Sequence, residues 1–190
     1  MMPHAPYQHG LTLIELLVTV AIAAIVMGLA VPGFQAFFRT STMANVSNEI
    51  RGALMLAREE AIRRGRQVVV CTSTSGTACA TNGTNWSGGW MIFVDSNAND
   101  AFDAGEPILR VSGAVPAGTT LRSTFNNTVR YARNGQAHAD GRFVACHANQ
   151  VNGARVVLVT RVASPRMGGD SNNDGIPEDA AGNNIASCTP

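Results

Sequence analysis

Oxygen-bearing side chains recur along the stretch from Asp95 to Glu106. Asp95, Asn97, Asn99, Asp103 and Glu106 occupy positions 1, 3, 5, 9 and 12 of a twelve-residue loop, the spacing that supplies Ca²⁺ ligands in helix-flanked calcium sites. The sixth position, where such sites have glycine, is Asp100. Two interpretations follow: a calcium site, with Ca²⁺ as the one cofactor suggested, or a hydrogen-bonded turn rich in Asp and Asn.

A second polar run, residues 170–175, begins with the same spacing of Asp and Asn. Its twelfth position is Ala181, which has no oxygen in its side chain to offer a cation. A turn is therefore favoured here more strongly than in the first loop.

Cys146 and His147 place a potential nucleophile beside a potential base. Because neighbouring residues of a strand point to opposite faces of a sheet, these two side chains do not meet. Glycine-rich phosphate loops of either standard spacing are absent from the sequence. The sequence predicts that the protein is not an enzyme.

The four cysteines are more consistent with disulfides than with a metal site. Cys71, Cys79, Cys146 and Cys188 lack the close spacing of zinc ligands. An even number of cysteines in an exported chain is typical of an oxidising compartment. Four cysteines allow three pairings. We favour Cys71 with Cys79 as a local loop, and Cys146 with Cys188 as a link that ties down the tail.

The bulk composition gives little attraction for polyanions. The chain of 190 residues has a formal net charge of +1, and all 14 of its basic residues are arginine. A near-neutral protein has no general electrostatic pull toward nucleic acid or acidic lipid. The length allows one modest domain plus a membrane segment.

The N-terminal segment carries the strongest pattern. Residues 11–30 are apolar apart from Glu15 and two threonines. About 20 such residues span the ~30 Å hydrocarbon core of a bilayer, and the run is too long for an ordinary signal peptide. The sequence therefore predicts a transmembrane helix within residues 11–38.

Glu15 is unusual within such a helix, because a carboxylate inside the membrane costs roughly 2.5–3.5 kcal/mol on insertion scales. One interpretation is a glutamate tolerated near the membrane interface. The other requires a cation at similar depth. Cleavage after Gly10 would leave the amino group of Leu11 near Glu15, and in an assembly Glu15 could pair with the amino group of a neighbouring chain.

The residues from Gly10 to Leu16 resemble the processing site of type IV prepilins and type II secretion pseudopilins. The resemblance implies that a prepilin peptidase removes residues 1–10 and methylates Leu11. It also implies that Glu15 directs assembly with other pilins or pseudopilins. A single-pass protein of the bacterial inner membrane is expected, with its head in the periplasm and on the cell surface after pilus assembly.

Beyond Pro32, where a bend is expected, helical spacing continues to about Arg64 and stops at Gly65. The remaining sequence alternates β-branched or aromatic runs with Gly, Asn and Asp clusters, which predicts antiparallel hairpins. The predicted strands are 67–72, 90–95, 107–111, 128–131, 142–146 and 155–160. The predicted fold class is α+β, with a long N-terminal helix packed on a small antiparallel sheet.

The head resembles the FimT/GspH group of pilin-like proteins through residues 86–95, 103–110 and 125–135. The two tryptophans in the first of these segments are predicted to be core or hairpin aromatics rather than a platform for a ligand. Members of the FimT branch are implicated in DNA capture through a C-terminal Gly-Arg-x-Arg motif. In the equivalent stretch, Arg166 matches the second arginine, and Arg161 and Arg155 are further candidates for contacting duplex DNA.

The sequence thus predicts five regions: a leader (1–10), a transmembrane and filament-core helix (11–38), an amphipathic helix (39–65), a β-rich head (66–167) and a polar tail (168–190) tied by Cys188. The predicted function is a minor type IV pilin-like subunit. A DNA receptor at the pilus tip and a pseudopilin of a type II secretion system are the alternatives.

Overall fold

In the computed structural model, the backbone is described for residues 12–190, and the side chains for residues 12–28 and 37–190. One helix, α1, extends over Leu13–Arg64 and is followed by eight strands. The strands are β1 Gln67–Thr72, β2 Trp90–Asp95, β3 Ile108–Ser112, β4 Thr119–Ser123, β5 Thr128–Tyr131, β6 Gly141–His147, β7 Gln150–Val159 and β8 Arg166–Met167. The chain divides between Arg39 and Thr40 into two compact units.

In the first unit, the described side chains of α1 are exposed, including large apolar ones such as Leu13 (80% exposed) and Ile25 (65%). Within the part of the chain that the structure describes, no helix has both the length and the apolar character needed to cross a membrane. The predicted span at 11–38 includes residue 11 and the side chains of 29–36, which lie outside the described ones. Membrane crossing and the bend at Pro32 stay predictions.

The end of α1 follows the rules of helix termination. Gly65 has a φ of 61°, a left-handed conformation that glycine adopts without the cost imposed by a Cβ atom. Arg63 and Arg64 occupy the last turn, where positive charge is favourable, and both pair with Glu60. The predicted end of the helix is confirmed.

The strands form two antiparallel four-stranded sheets. Sheet A has the order β3-β2-β1-β5, and sheet B has the order β4-β6-β7-β8. The prediction of antiparallel strands is confirmed, but the expectation of one small sheet is wrong. It missed β4, in which Leu121 is the only apolar residue, and β8, which is two residues long. It also started β7 five residues too late, because the hairpin end of that strand is polar.

The second half of α1 covers the inner faces of both sheets. Ile50, Ala53, Leu54, Ala57 and Ala61 are completely buried and repeat at helical spacing. Alanine lets a helix approach a sheet closely because its side chain is small. The strands contribute the remaining members of this core, among them Val68, Ile92, Tyr131, Phe143 and Val157.

Both tryptophans are buried in this core, as predicted. Trp86 is fully buried, and its ring lies edge-on to that of Phe143 with 4.9 Å between the ring centroids. The indole N–H of Trp86 donates to the carbonyl oxygen of Phe125 at 3.3 Å. Trp90 is 1% exposed.

The two outer faces are covered by loop and tail segments, and each face carries one disulfide. On sheet B, Val144, Val156 and Leu158 pack against Ile185 in the tail, and Cys146 is bonded to Cys188. On sheet A, Phe93 packs against the ring of Phe102, and Cys71 is bonded to Cys79. These are the two disulfide pairings that the sequence analysis favoured.

The two disulfides are expected to differ in their contribution to stability, because the chain entropy that a cross-link removes grows with loop length. The Cys146–Cys188 bond spans 42 residues and the Cys71–Cys79 bond spans 8. Loss of the first should lower the free energy of unfolding by about 4 kcal/mol, and loss of the second by about 2.5 kcal/mol. Denaturant unfolding of the paired Cys→Ser variants measures both values. Equal losses would contradict the entropic explanation.

Candidate functional site

The first turn of α1 presents the assembly residue predicted from the sequence. Glu15 is exposed, and its backbone N–H donates to the side-chain oxygen of Thr12 at 3.3 Å. Thr12 is therefore the N-cap of the helix, and Glu15 is the third helical residue, where a carboxylate is favourable. The Thr-x-x-Glu spacing is a sequence signal of this cap, which was not among the predictions. Gly10 and Leu11 lie outside the described residues.

The five residues considered as calcium ligands lie in the loop between β2 and β3. Asp95 is buried at the end of β2, and its carboxylate accepts hydrogen bonds from the backbone N–H groups of Ala98 at 2.7 Å and Asp100 at 2.8 Å. The side-chain amide of Gln67 also donates to Asp95, at 2.7 Å. Asp95 thus organises the start of the loop as an Asx turn.

The other members of this set bind each other or the loop backbone. Asp103 accepts hydrogen bonds from the side-chain amides of Asn97 and Asn99, each at 2.8 Å. Glu106 accepts from the backbone N–H of Ser96 at 2.6 Å and from that of Asp103 at 3.1 Å. Their oxygens are therefore already engaged in holding the loop.

Over residues 12–190, no group of three or more His, Cys, Asp or Glu residues is arranged to hold a metal ion. In the second polar run, Asp170 accepts from the backbone N–H groups of Asp174 and Gly175. Both runs therefore have the hydrogen bonding of Asx turns, and calcium binding stays a prediction.

Asp100 explains why the sixth loop position is not glycine. Its φ of 65° is left-handed, which is costly for most residues with a side chain. Its carboxylate, however, is paired with the guanidinium of Arg130 and accepts a hydrogen bond from Gln67 at 2.7 Å. These contacts tie the loop to β1 and β5, and they offset the backbone cost.

The three arginines considered for DNA contact do not form one surface. Arg155 lies opposite Ala145 on the inner face of sheet B and is half-buried. Arg166 lies opposite Leu158 on the outer face of the sheet and is exposed. Arg161 is exposed in the loop after β7, where its backbone N–H donates to Asp140 at 2.7 Å.

Two arginines of α1 hold the loop that carries Arg161. The Arg58 guanidinium donates to the side-chain oxygen of Ser164 at 3.0 Å and to the carbonyl oxygen of Val162 at 3.1 Å. The Arg51 guanidinium donates to the carbonyl oxygen of Pro165 at 3.2 Å. This role was not predicted from the sequence. Its signal was the spacing of seven residues between the two arginines, which places them on one helix face.

Two histidines occupy structural positions. His138 Nδ1 accepts the backbone N–H of Arg130 at 3.3 Å, which requires a neutral ring nitrogen. Partial burial of the ring lowers the pKa of His138, and the positive charge of Arg130 lowers it further. His147 follows Cys146, whose sulfur is bonded to Cys188 and is therefore not a free nucleophile.

Substitutions at Asp100 test how the loop is held. Asp100→Ala should lower the free energy of unfolding more than Asp100→Gly, by roughly 1 kcal/mol, because only alanine retains the left-handed backbone cost. Arg130→Ala is the control, since it removes the ion pair and leaves the loop backbone unchanged. Denaturant unfolding compares the three variants. Equal stability of the alanine and glycine variants would contradict the left-handed conformation.

Comparison with known proteins identifies the family. The model of the type II transport protein GspH matches residues 46–162, and the prokaryotic N-terminal methylation motif matches residues 6–31. The pilin-like protein PilA1 of Thermus thermophilus is 33% identical over 99 residues, which are 52% of this chain and 56% of PilA1. The chain thus spans little more than half of that relative's length.

The fold is similar to that of the type IV minor pilin FimU of Pseudomonas aeruginosa. One crystal form of FimU superposes with a TM-score of 0.58 at 16% identity, covering 80% of this chain and 98% of FimU. A second crystal form gives a TM-score of 0.54, also at 16% identity, covering 76% of this chain and 98% of FimU. The two family matches together include most of the chain. The chain therefore belongs to the GspH family and carries the prokaryotic N-terminal methylation motif.

Proposed function

We propose that this chain is a minor subunit of a type IV pilus, anchored in the inner membrane before assembly and located in the filament afterwards. The observation that carries the proposal is the start of α1, where exposed apolar side chains surround the single carboxylate of Glu15. An apolar surface of this kind requires lipid or other helices as a cover. The role is structural rather than catalytic.

The methylation motif supports processing by a prepilin peptidase. Processing after Gly10 would create a terminal amino group at Leu11. Within an apolar filament core, an unpaired carboxylate is costly, and a neighbouring chain's amino group is the cation at matching depth. Glu15 would then direct docking of the incoming subunit.

A pseudopilus of a type II secretion system uses the same assembly chemistry and is the alternative for the filament. The tail supports the pilus, because a segment of this length closed by a C-terminal cysteine resembles pilus-associated members more than secretion members. In this chain the tail covers sheet B and is bonded to β6 through Cys188.

Replacement of Glu15 tests the assembly role. Glu15→Ala should reduce the amount of the chain in sheared filaments more than tenfold, because loss of one partner of a buried ion pair costs roughly 3 kcal/mol or more. The amount in the membrane fraction should stay unchanged. Glu49→Ala removes an exposed carboxylate from the same helix and is the matched control. Immunoblots of the filament and membrane fractions give both values; normal incorporation of Glu15→Ala would exclude the docking role.

DNA capture is a second candidate function. The observation in its favour is that Arg161 and Arg166 are exposed at the two ends of a loop that Arg51 and Arg58 hold in place. A fixed loop with two free guanidinium groups could contact phosphates without regard to sequence. The different position of Arg155 reduces the number of arginines available to one duplex.

The DNA candidate predicts salt-dependent binding of the full chain to duplex DNA of any sequence. Arg161→Ala combined with Arg166→Ala should weaken binding about tenfold or more and reduce its salt dependence, since each phosphate contact releases counterions. Arg155→Ala is the control and should bind like the unaltered chain. Mobility shifts at two salt concentrations measure these effects. No binding at low salt would leave a structural subunit without a DNA role.

A further inference from the structure

A cavity of about 380 Å³ lies on sheet B between the strands β6 and β7 and the tail. Asp140 and Arg142 line it at the start of β6, Leu158 and Thr160 line it at the end of β7, and Ala180 lines it from the tail. Cavities that bind small ligands begin at about 300 Å³ and combine an apolar surface with a few convergent polar groups. This cavity has enough room for the last residues of a peptide.

The guanidinium group of Arg142 donates no hydrogen bond to any residue in the described part of the chain. The side chain is 30% exposed, and its Nε atom is buried without an acceptor. The carboxylate paired with it belongs to Asp179, whose Oδ2 lies 3.9 Å from Nη1, beyond the length of a hydrogen bond. A guanidinium group that has lost part of its water and gained no acceptor is costly, because it carries five N–H donors.

Asp179 is held by the tail instead of by Arg142. Its Oδ1 accepts the backbone N–H groups of Ala181 at 2.9 Å and Asn183 at 3.0 Å. Hydrogen bonds from Asn183 and Ala181 lower the pKa of Asp179, and the charge of Arg142 lowers it less. Because this carboxylate is engaged in a turn of the tail, the Arg142 guanidinium remains available to another acceptor.

Asp140 and Thr160 supply two further polar groups at the cavity. Asp140 Oδ1 accepts the backbone N–H of Arg161 at 2.7 Å, whereas its Oδ2 accepts no hydrogen bond from a residue that the structure describes. The hydroxyl group of Thr160 likewise has no partner among residues 12–190. A cation, an anion and a hydroxyl group with free hydrogen-bonding capacity therefore line the same cavity.

We propose that this cavity binds the C-terminal end of a peptide. The terminal carboxylate accepts hydrogen bonds from Arg142, whose planar guanidinium matches a carboxylate in shape and charge. Amide N–H groups of the peptide donate to Asp140 or Thr160, and a small apolar last side chain lies beside Leu158 and Ala180. A ligand that is both an anion and an N–H donor satisfies both charges of the cavity, which a simple anion or cation does not.

A free C-terminal carboxylate can come from two sources. The last residue of a protein is an L-amino acid, whereas the peptides of a bacterial cell wall end in a D-amino acid. Both present the same carboxylate and the same amide N–H groups, so the chirality of a probe distinguishes them. The site lies within the head, and binding there requires no contact with the membrane or with a filament.

The test measures fluorescence anisotropy of a dye-labelled peptide, Gly-Ser-Gly-Ala-Ala, with the full chain in detergent. The free acid should bind at least about tenfold more tightly than the C-terminal amide, because only the acid has the charge that Arg142 pairs with. A second peptide ends in D-Ala-D-Ala. Tighter binding of the L form assigns the site to protein ends, and tighter binding of the D form assigns it to cell-wall peptides. Equal binding of acid and amide, or no binding of either, would overturn the proposal.

Variants of the lining residues test the chemistry of the contact. Arg142→Gln should weaken binding of the free acid at least about tenfold and leave the amide unchanged. Arg142→Lys retains the charge and should lose less. Thr160→Val should weaken binding severalfold, and it keeps the test decisive if Arg142→Gln lowers stability. Arg122→Gln, at a half-buried arginine of β4 outside the cavity, is the matched control and should stay within about twofold. Unchanged binding in both Arg142→Gln and Thr160→Val would contradict the proposal.

Inorganic phosphate separates peptide recognition from general binding of anions. At constant ionic strength, an excess of phosphate should leave binding of the free acid within about twofold, because the carboxylate of Asp140 repels an anion without N–H donors. Asp140→Asn removes that charge and retains an oxygen for the backbone N–H of Arg161, so phosphate should compete more strongly in this variant. Displacement of the peptide from the unaltered chain by phosphate would assign the cavity to anions in general and overturn the inference.

Discussion

The head depends on the contact between the second half of α1 and the inner faces of the two sheets. Ile50, Ala53, Leu54, Ala57 and Ala61 are all completely buried along one stripe of the helix. Three alanines in that stripe allow the helix backbone to come close to both sheets, so that one element closes a core shared by strands from each. Because interiors are close-packed, a larger side chain at any of these alanines would displace the helix from both sheets together.

The helix has a second effect through its polar side. Arg51 and Arg58 lie beside the buried stripe and donate to three groups of the loop after β7. The position of that loop is therefore fixed by the same helix that closes the core. This arrangement places Arg161 and Val162 at the surface in a defined conformation, and it makes the loop sensitive to any change in the packing of α1.

Much of this organisation could be predicted from the sequence, because it is encoded in local patterns. These patterns are the turn-forming residues at the ends of elements and the spacing of apolar residues. They predict the end of α1 at Gly65, the strands β1, β2 and β5, and the buried tryptophans. The division into two sheets could not be predicted. In β4 only Leu121 is apolar, so the composition of this segment does not indicate a strand, and its pairing with β6 is evident only from the structure. Strand pairing across long separations leaves no local pattern.

In the candidate site, too, some features could be predicted from the sequence and others could not. Glu15 stands out because a carboxylate in an apolar helix is rare, and so its type alone indicates a role. The faces on which Arg155 and Arg166 lie depend on strand register, because a shift of one residue moves every side chain of a strand to the opposite face of the sheet. The contact between Asp100 and Arg130 joins residues 30 positions apart and had no sequence signal.

The bond between Cys146 and Cys188 makes residues 146–188 a covalent ring that contains β7, β8 and nearly the whole tail. The exposed stretches of the tail are the kind of segment that proteases cut. A single cut inside the ring releases no fragment, because both new ends remain attached through the disulfide or the main chain. The cover over sheet B therefore stays attached after a single cut, and its release requires either a second cut or reduction of the disulfide together with cleavage.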